Sequence, residues 1–149
     1  MELFHGTTLE NAIKILNTGF NTSHYCNKHP CINKALYPDV ETCVCCMFGE
    51  CVSFAQYDKA VGFAKRTSLR YERGVPGAVI KCLVDMGKMK TAIRVPCECC
   101  GTPYVDHRGK WSEEYDSIYC PPNSLPAARR PEWGVKNPAR IKILSIHHV

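Results

Sequence analysis

No run of about 18 apolar residues occurs anywhere in this chain of 149 residues, which excludes a membrane-spanning helix. The first residues contain neither a basic stretch nor an apolar segment of the kind that directs secretion, so the expected compartment is cytoplasmic or nuclear. A repeat of domain size is missing, and so is any low-complexity tract, which argues against a solenoid or a disordered linker. With 45% hydrophobic and 22% charged residues, the composition is that of an ordinary soluble domain. Residues 1–149 are expected to form one such domain, large enough to build a core without crosslinks. The net charge of +5 is moderate and reads first as a solvated basic face, then as attraction to an acidic substrate or a nucleic acid.

Cysteine, by contrast, is in excess. Eleven are present, an odd number, in a chain expected to live in a reducing compartment, so a disulfide framework is disfavoured and a metal is favoured. Cys43-Val44-Cys45-Cys46 and Cys97-Glu98-Cys99-Cys100 share a C-x-C-C pattern. Cys26, Cys31, His24 and His29 precede the first cluster, and Cys120 follows the second. Thiolates so grouped can close a tetrahedral zinc site, of four cysteines or of three cysteines and a histidine, that orders a loop without secondary structure of its own. The spacing departs from the common pair of cysteines two residues apart, so Cys26, Cys31, Cys43, Cys45, Cys46, Cys97, Cys99 and Cys100 are candidates and no ligand set is specified. Unligated thiols and redox regulation are the alternatives.

Leu3-Phe4-His5-Gly6-Thr7 reads as a short strand running into a helix. Thr7-x-x-Glu10 has the form of a capping box, Leu9, Ala12, Ile13 and Leu16 recur at helical spacing, and Gly19 supplies a stop. His5-Gly6 thus stands beside a helix N-terminus, which suits polar or anionic ligand atoms. An ordinary strand-to-helix turn is the alternative for such a short motif. Residues 21–46 break every period and read as a long loop. A strand at 51–55 and a helix at about 58–70 capped by Asp58 follow, the helix burying Ala60, Val61 and Ala64 with Phe63 beside them. Ala78–Asp85 is nearly continuously apolar and is expected to be central in its sheet. A second irregular stretch fills about 95–125, and strands are expected at 132–135 and 139–146. The sum is an α+β fold with short strands, a few helices and two long cysteine-rich loops.

Four segments, in this order, resemble the catalytic domain of the poly(ADP-ribose) polymerases and diphtheria-toxin-like ADP-ribosyltransferases, with the tankyrases the nearest pattern. They are His5-Gly6-Thr7 with its helix and Gly19-Phe20; Met47-Phe48-Gly49 to Phe54-Ala55 with Lys59-Ala60-Val61-Gly62-Phe63; Val79 to Lys88; and Tyr115-Asp116-Ser117-Ile118 with Glu132-Trp133-Gly134-Val135-Lys136-Asn137-Pro138-Ala139-Arg140-Ile141. The resemblance covers most of the chain and leaves out the two cysteine-rich loops. It implies split antiparallel sheets and transfer of ADP-ribose from NAD, with loss of nicotinamide, to a protein or nucleic-acid acceptor by a monomer. Tankyrases also hold a structural zinc in this fold, although its placement does not carry over residue by residue.

The implied roles follow the resemblance. Glu132 would place negative charge where an oxocarbenium-like centre develops and would help polarise the acceptor. The alternative for Glu132 is an exposed surface carboxylate. His5 would hydrogen-bond the adenine-side ribose, Gly6 would grip the nicotinamide amide through its backbone, and Phe63 would stack on the ring. Thr7, Phe54 and Ala60 complete the implied NAD pocket. Two departures stand out. Ser53 occupies the place of the triad tyrosine, giving a His-Ser-Glu set, and Ala60 replaces a serine that usually contacts the amide. Each should weaken nicotinamide binding by about 1 kcal/mol for a lost hydrogen bond. Mono-transfer is therefore expected rather than chain elongation. An NAD glycohydrolase, a catalytically weak NAD or ADP-ribose reader and a zinc-stabilised nucleic-acid binder are the competing expectations. The last lacks aromatic residues interleaved with basic ones in the sequence.

Overall fold

The computed structural model describes residues 1–21, 51–71, 74–96, 103–105, 111–122 and 130–149. Among these, nine strands and two α-helices occur in the order β1 (Glu2–Thr8), α1 (Leu9–Thr18), β2 (Val52–Ala55), α2 (Tyr57–Tyr71), β3 (Gly77–Val84), β4 (Met89–Thr91), β5 (Arg94–Pro96), β6 (Pro103–Val105), β7 (Ser117–Cys120), β8 (Glu132–Val135) and β9 (Ile141–His148). Short 3-10 turns cover Trp111–Glu113 and Pro138–Arg140. Seven strands form one sheet ordered β4-β7-β8-β2-β1-β3-β9, and β5 with β6 makes a separate ribbon. The α+β class expected from the sequence stands. The sheet is mixed rather than wholly antiparallel, because β4 and β7 run parallel.

Side chains alternate along a strand, so each face of the sheet collects every second residue. One face gathers Leu3, Phe54, Ile80, Cys82, Trp133 and Val135 into a core that α1 closes with Ala12. On the other, Ala60 and Ala64 of α2 pack on Val79. A satellite core of Ala92, Trp111, Ile118 and Cys120 lies towards the β4 edge. The long apolar run of β3 follows directly, since α1 and α2 pack on its two faces.

Several expectations need correction. The N-cap of α1 is Thr8 and not Thr7: Thr8 is extended (φ −76°, ψ 155°) and its hydroxyl accepts from the Asn11 N–H at 3.2 Å, while Thr7 remains in β1. Glu10 reaches forward to Lys14 at 2.8 Å instead of back to a cap. The inward face of α1 is Leu9, Ala12 and Ile15, so Ile13 and Leu16 are exposed. Gly19 does end the helix, with φ +80° and its N–H on the Ile15 carbonyl. Asp58 lies inside the first turn of α2, accepting from the Lys59 N–H at 2.9 Å. Strand β3 is not central, because β9 alone lies beyond it, although it is paired on both edges. The stretch at 95–125 is not wholly irregular: β7 is a buried member of the main sheet, held between β4 and β8. Its four residues are too few for a periodic signal. The last strand starts at Ile141 because Asn137 caps the 3-10 turn before it, its side chain accepting from the Ala139 N–H at 3.0 Å. The first cysteine-rich loop and the Cys97–Cys100 cluster lie outside the described residues.

Candidate active site

Three neighbouring strands carry His5, Ser53 and Glu132, on β1, β2 and β8 respectively. The β2–β8 ladder is regular, with Ser53 opposite Gly134 and Ala55 opposite Glu132. Between β1 and β2 the ladder shrinks to one register pair, Phe4↔Ala55. One residue further along β1, the His5 Nδ1–H donates to the Ser53 carbonyl at 2.8 Å. A carbonyl only accepts, so this bond puts a proton on Nδ1 and leaves Nε2 an acceptor in the neutral ring. The imidazole stands edge-on to Phe20 and Phe54, with centroids at 5.3 and 6.1 Å. Burial in that apolar setting pushes its pKa below the ordinary value of 6.5, against a smaller upward pull from the Ser53 carbonyl.

Register also decides which groups share a face. The pairs Phe4↔Ala55 and Ala55↔Glu132 set Phe4, Ala55 and Glu132 in one row on the α2 face, and Ser53 lies in the next row of that face. His5 and Phe54 belong to the opposite face. The sheet therefore brings Ser53 and Glu132 together, whereas His5 reaches them through the Ser53 backbone.

Helix α2 supplies the rest of this face. A Cβ at Gly6 would lie 2.0 Å from the Ala60 carbonyl oxygen, so only glycine lets α2 approach β1 this closely. Ala60 is buried at that contact. Lys59 pairs with Glu132, and both side chains are only 18% exposed. The Lys59 ammonium also donates to the Arg130 carbonyl at 3.4 Å, and Arg130 pairs with Asp58. Two ion pairs thus tie the start of β8 to the first turn of α2. Phe63, one helical turn beyond Lys59, is 53% exposed. Thr7 and Phe54 are buried.

Lys59 was the residue without an assigned role in the sequence. Its only signal there is a cation one turn before Phe63, and its partner is 73 positions away in the chain. A groove of about 530 Å³ lined by Met1 to Phe4, Gln56 to Asp58 and Trp133 opens on the far side of the Phe4↔Ala55 pair. Glu132, Ser53 and Phe63 do not line it.

Cys26, Cys31, Cys43, Cys45, Cys46, Cys97, Cys99 and Cys100 fall outside the described residues. Among the described residues no group of His, Cys, Asp or Glu is placed to hold a metal, and Cys51 and Cys82 are free thiols. Burial pushes the Cys51 and Cys82 thiols up to about 12, which keeps them protonated and unreactive. No helix among the described residues is long and apolar enough to cross a membrane. No protein-family model matches the chain, and no curated protein matches it significantly.

Proposed function

We propose that the protein is an NAD-dependent mono-ADP-ribosyltransferase with an ADP-ribosyltransferase-like fold. The observation that carries this reading is the parted seam between β1 and β2, flanked by Glu132 held on Lys59. A parted seam leaves the His5–Thr8 stretch of β1 without register partners on β2, where the Gly6 backbone can meet the nicotinamide amide. Phe63 offers its exposed ring for stacking, and Thr7, Phe54 and Ala60 back the pocket. Lys59 holds the Glu132 carboxylate in position by their ion pair, so that negative charge faces the ribose as it becomes oxocarbenium-like. An acceptor oxygen then bonds to the ribose C1. The bond from C1 to the nicotinamide nitrogen breaks with its electron pair left on nicotinamide, and the acceptor proton passes to Glu132. His5 holds the adenine-side ribose through Nε2, the nitrogen its Ser53 contact leaves as an acceptor. Zinc in the cysteine-rich loops is the proposed structural metal, and elemental analysis of the purified protein tests it.

A second reading is favoured by one observation, the projection of His5 from the face opposite Glu132. That arrangement suits a reader that binds NAD or ADP-ribose without turnover. Nicotinamide release from NAD by the wild type and by Glu132→Gln, with and without cell extract, separates the readings. Release that needs Glu132 and extract supports the transferase. Release that needs Glu132 alone indicates a glycohydrolase, and NAD binding without release indicates the reader.

A further inference from the structure

The hydrogen-bonding direction of β1 is fixed at its N-terminal end. The Met1 ammonium donates to the Val84 carbonyl at 2.9 Å, and the Val84 N–H donates to the Met1 carbonyl at 2.8 Å. In an antiparallel ladder such exchanging pairs alternate with residues that turn both backbone groups the other way. The register with β3 runs from Glu2 to Thr8 without a shift, and the Leu9 N–H again bonds on that side, to the Pro76 carbonyl at 2.8 Å. Odd residues of β1 therefore bond towards β3, whereas Glu2, Phe4 and Gly6 point their N–H and C=O groups towards the line of β2. Phe4 meets Ala55 there, and Gly6 faces the seam assigned to nicotinamide. Glu2 meets no β2 partner, because β2 ends at Ala55 and the chain turns into α2 at Tyr57.

This backbone pair opens into the groove beyond Phe4↔Ala55. Past the end of β2, the lines of β1 and β8 stand two strand spacings apart, about 10 Å, which is the room that one extended chain fills. Side-chain alternation gives the groove two walls of different chemistry. Leu3 and Trp133, both core residues, form the wall on the α1 face, and Glu2, Phe4, Tyr57 and Asp58 form the wall on the α2 face. The charged side chains in the lining are Glu2 and Asp58, and no Lys, Arg or His side chain lines it. Their partners Lys81 and Arg130 stand outside the lining. An acidic ligand would therefore meet carboxylates, and a purely apolar one would leave the Glu2 backbone groups unpaired. An extended peptide residue turns an N–H and a C=O to one side, the complement of what Glu2 offers.

We propose that this groove takes an extended peptide segment by strand addition. One residue exchanges both backbone hydrogen bonds with Glu2 and sets a neutral or basic side chain beside Glu2 and Asp58, and the next sets an apolar side chain against Leu3 and Trp133. The docking does not depend on the transferase reading. The probe is a blocked, fluorescent hexapeptide of alternating lysine and valine, followed by anisotropy and by amide hydrogen exchange of the protein. N-methylation of its lysine residues blocks the edge that meets Glu2 and should raise Kd more than about tenfold, whereas N-methylation of its valines should change Kd less than about threefold. A peptide with glutamate in place of lysine should also bind more than about tenfold more weakly. Saturation should slow exchange of the Glu2 N–H at least about tenfold and leave those of Leu3 and His5, which bond to β3, unchanged. Glu2→Pro removes the donor without removing a bond to β3 and should raise Kd more than about tenfold, whereas Glu2→Gln should stay within about threefold. Circular dichroism checks that both variants fold, and the two N-methylated peptides decide the matter if Glu2→Pro does not. Absence of binding at about 1 mM probe, equal binding of the two N-methylated peptides or of the glutamate peptide, or unchanged Glu2 exchange would overturn the proposal. So would slow Glu2 exchange that appears with protein concentration alone, which would give the groove to a second copy of this chain.

Discussion

The two edges of β1 are built differently. Towards β3, all seven residues from Glu2 to Thr8 have register partners, and the pairs lie under α1 and α2. Towards β2 there is one register partner, and the imidazole of His5 spans part of the remaining gap. The first edge is made of residues such as Leu3 and Ile80 whose burial stabilises the fold. The second edge is joined instead by polar contacts, the His5 imidazole on the Ser53 carbonyl and one register pair. A sheet fastened on one flank can keep the other parted.

The largest break of this comparison is Ile80→Ala on the fastened side. Ile80 is fully buried opposite His5, so the truncation should lower stability by about 3 kcal/mol, read from the urea midpoint at unchanged m. Gly6→Ala comes next. Its methyl would press on the Ala60 carbonyl, so α2 must shift, costing about 2 kcal/mol and weakening NAD binding by calorimetry.

Lys59→Met should cost about 2 kcal/mol by leaving the Glu132 carboxylate mostly buried and unpaired. The Lys59→Met, Glu132→Gln double variant should recover most of that loss in the same urea titration. Recovery of stability without recovery of nicotinamide release would separate the structural part of the pair from the chemical part.

His5 sharpens the comparison through pH. Its folded pKa lies below the unfolded value of 6.5, so the unfolded chain takes up a proton first on acidification. Its contribution is complete above about 6.5 and is lost as pH falls from there towards the depressed value. Wild type should therefore lose more stability than His5→Gln between pH 7.5 and 5. An identical pH dependence would mean that the imidazole is not held neutral. The smallest effect is expected for Ser53→Ala. The side chain is exposed, so unfolding should change by no more than about 0.5 kcal/mol, although NAD affinity can still respond.

Local chemistry made much of the fold legible. The helical period before Gly19, the apolar run of β3 and the alternation of β9 each report on contacts within a few residues. Strands β4 and β7 did not show, because segments of three and four residues carry no period and owe their place to partners far along the chain. The cap slipped by one residue for a related reason. Thr7 and Thr8 offer the same hydroxyl and both pair with β3, and only the length of that pairing decides that Thr8 is the last strand residue and so the cap. Of the candidate site, His5, Ser53 and Glu132 could be named from the order of short phrases, whereas the Lys59–Glu132 pair could not.

By itself the sequence determined an α+β class, the start and stop of α1 to within a residue, the buried character of β3 and the chemical identity of the candidate groups. These depend on side-chain type and on near neighbours. Tertiary structure alone decided that Lys59 meets Glu132, that His5 projects from the opposite face, and that Lys88 and Lys90 share the ring of Tyr115. The physical reason is register: in a pleated sheet a shift of one residue moves a side chain to the other face, and register is set by pairing between distant segments.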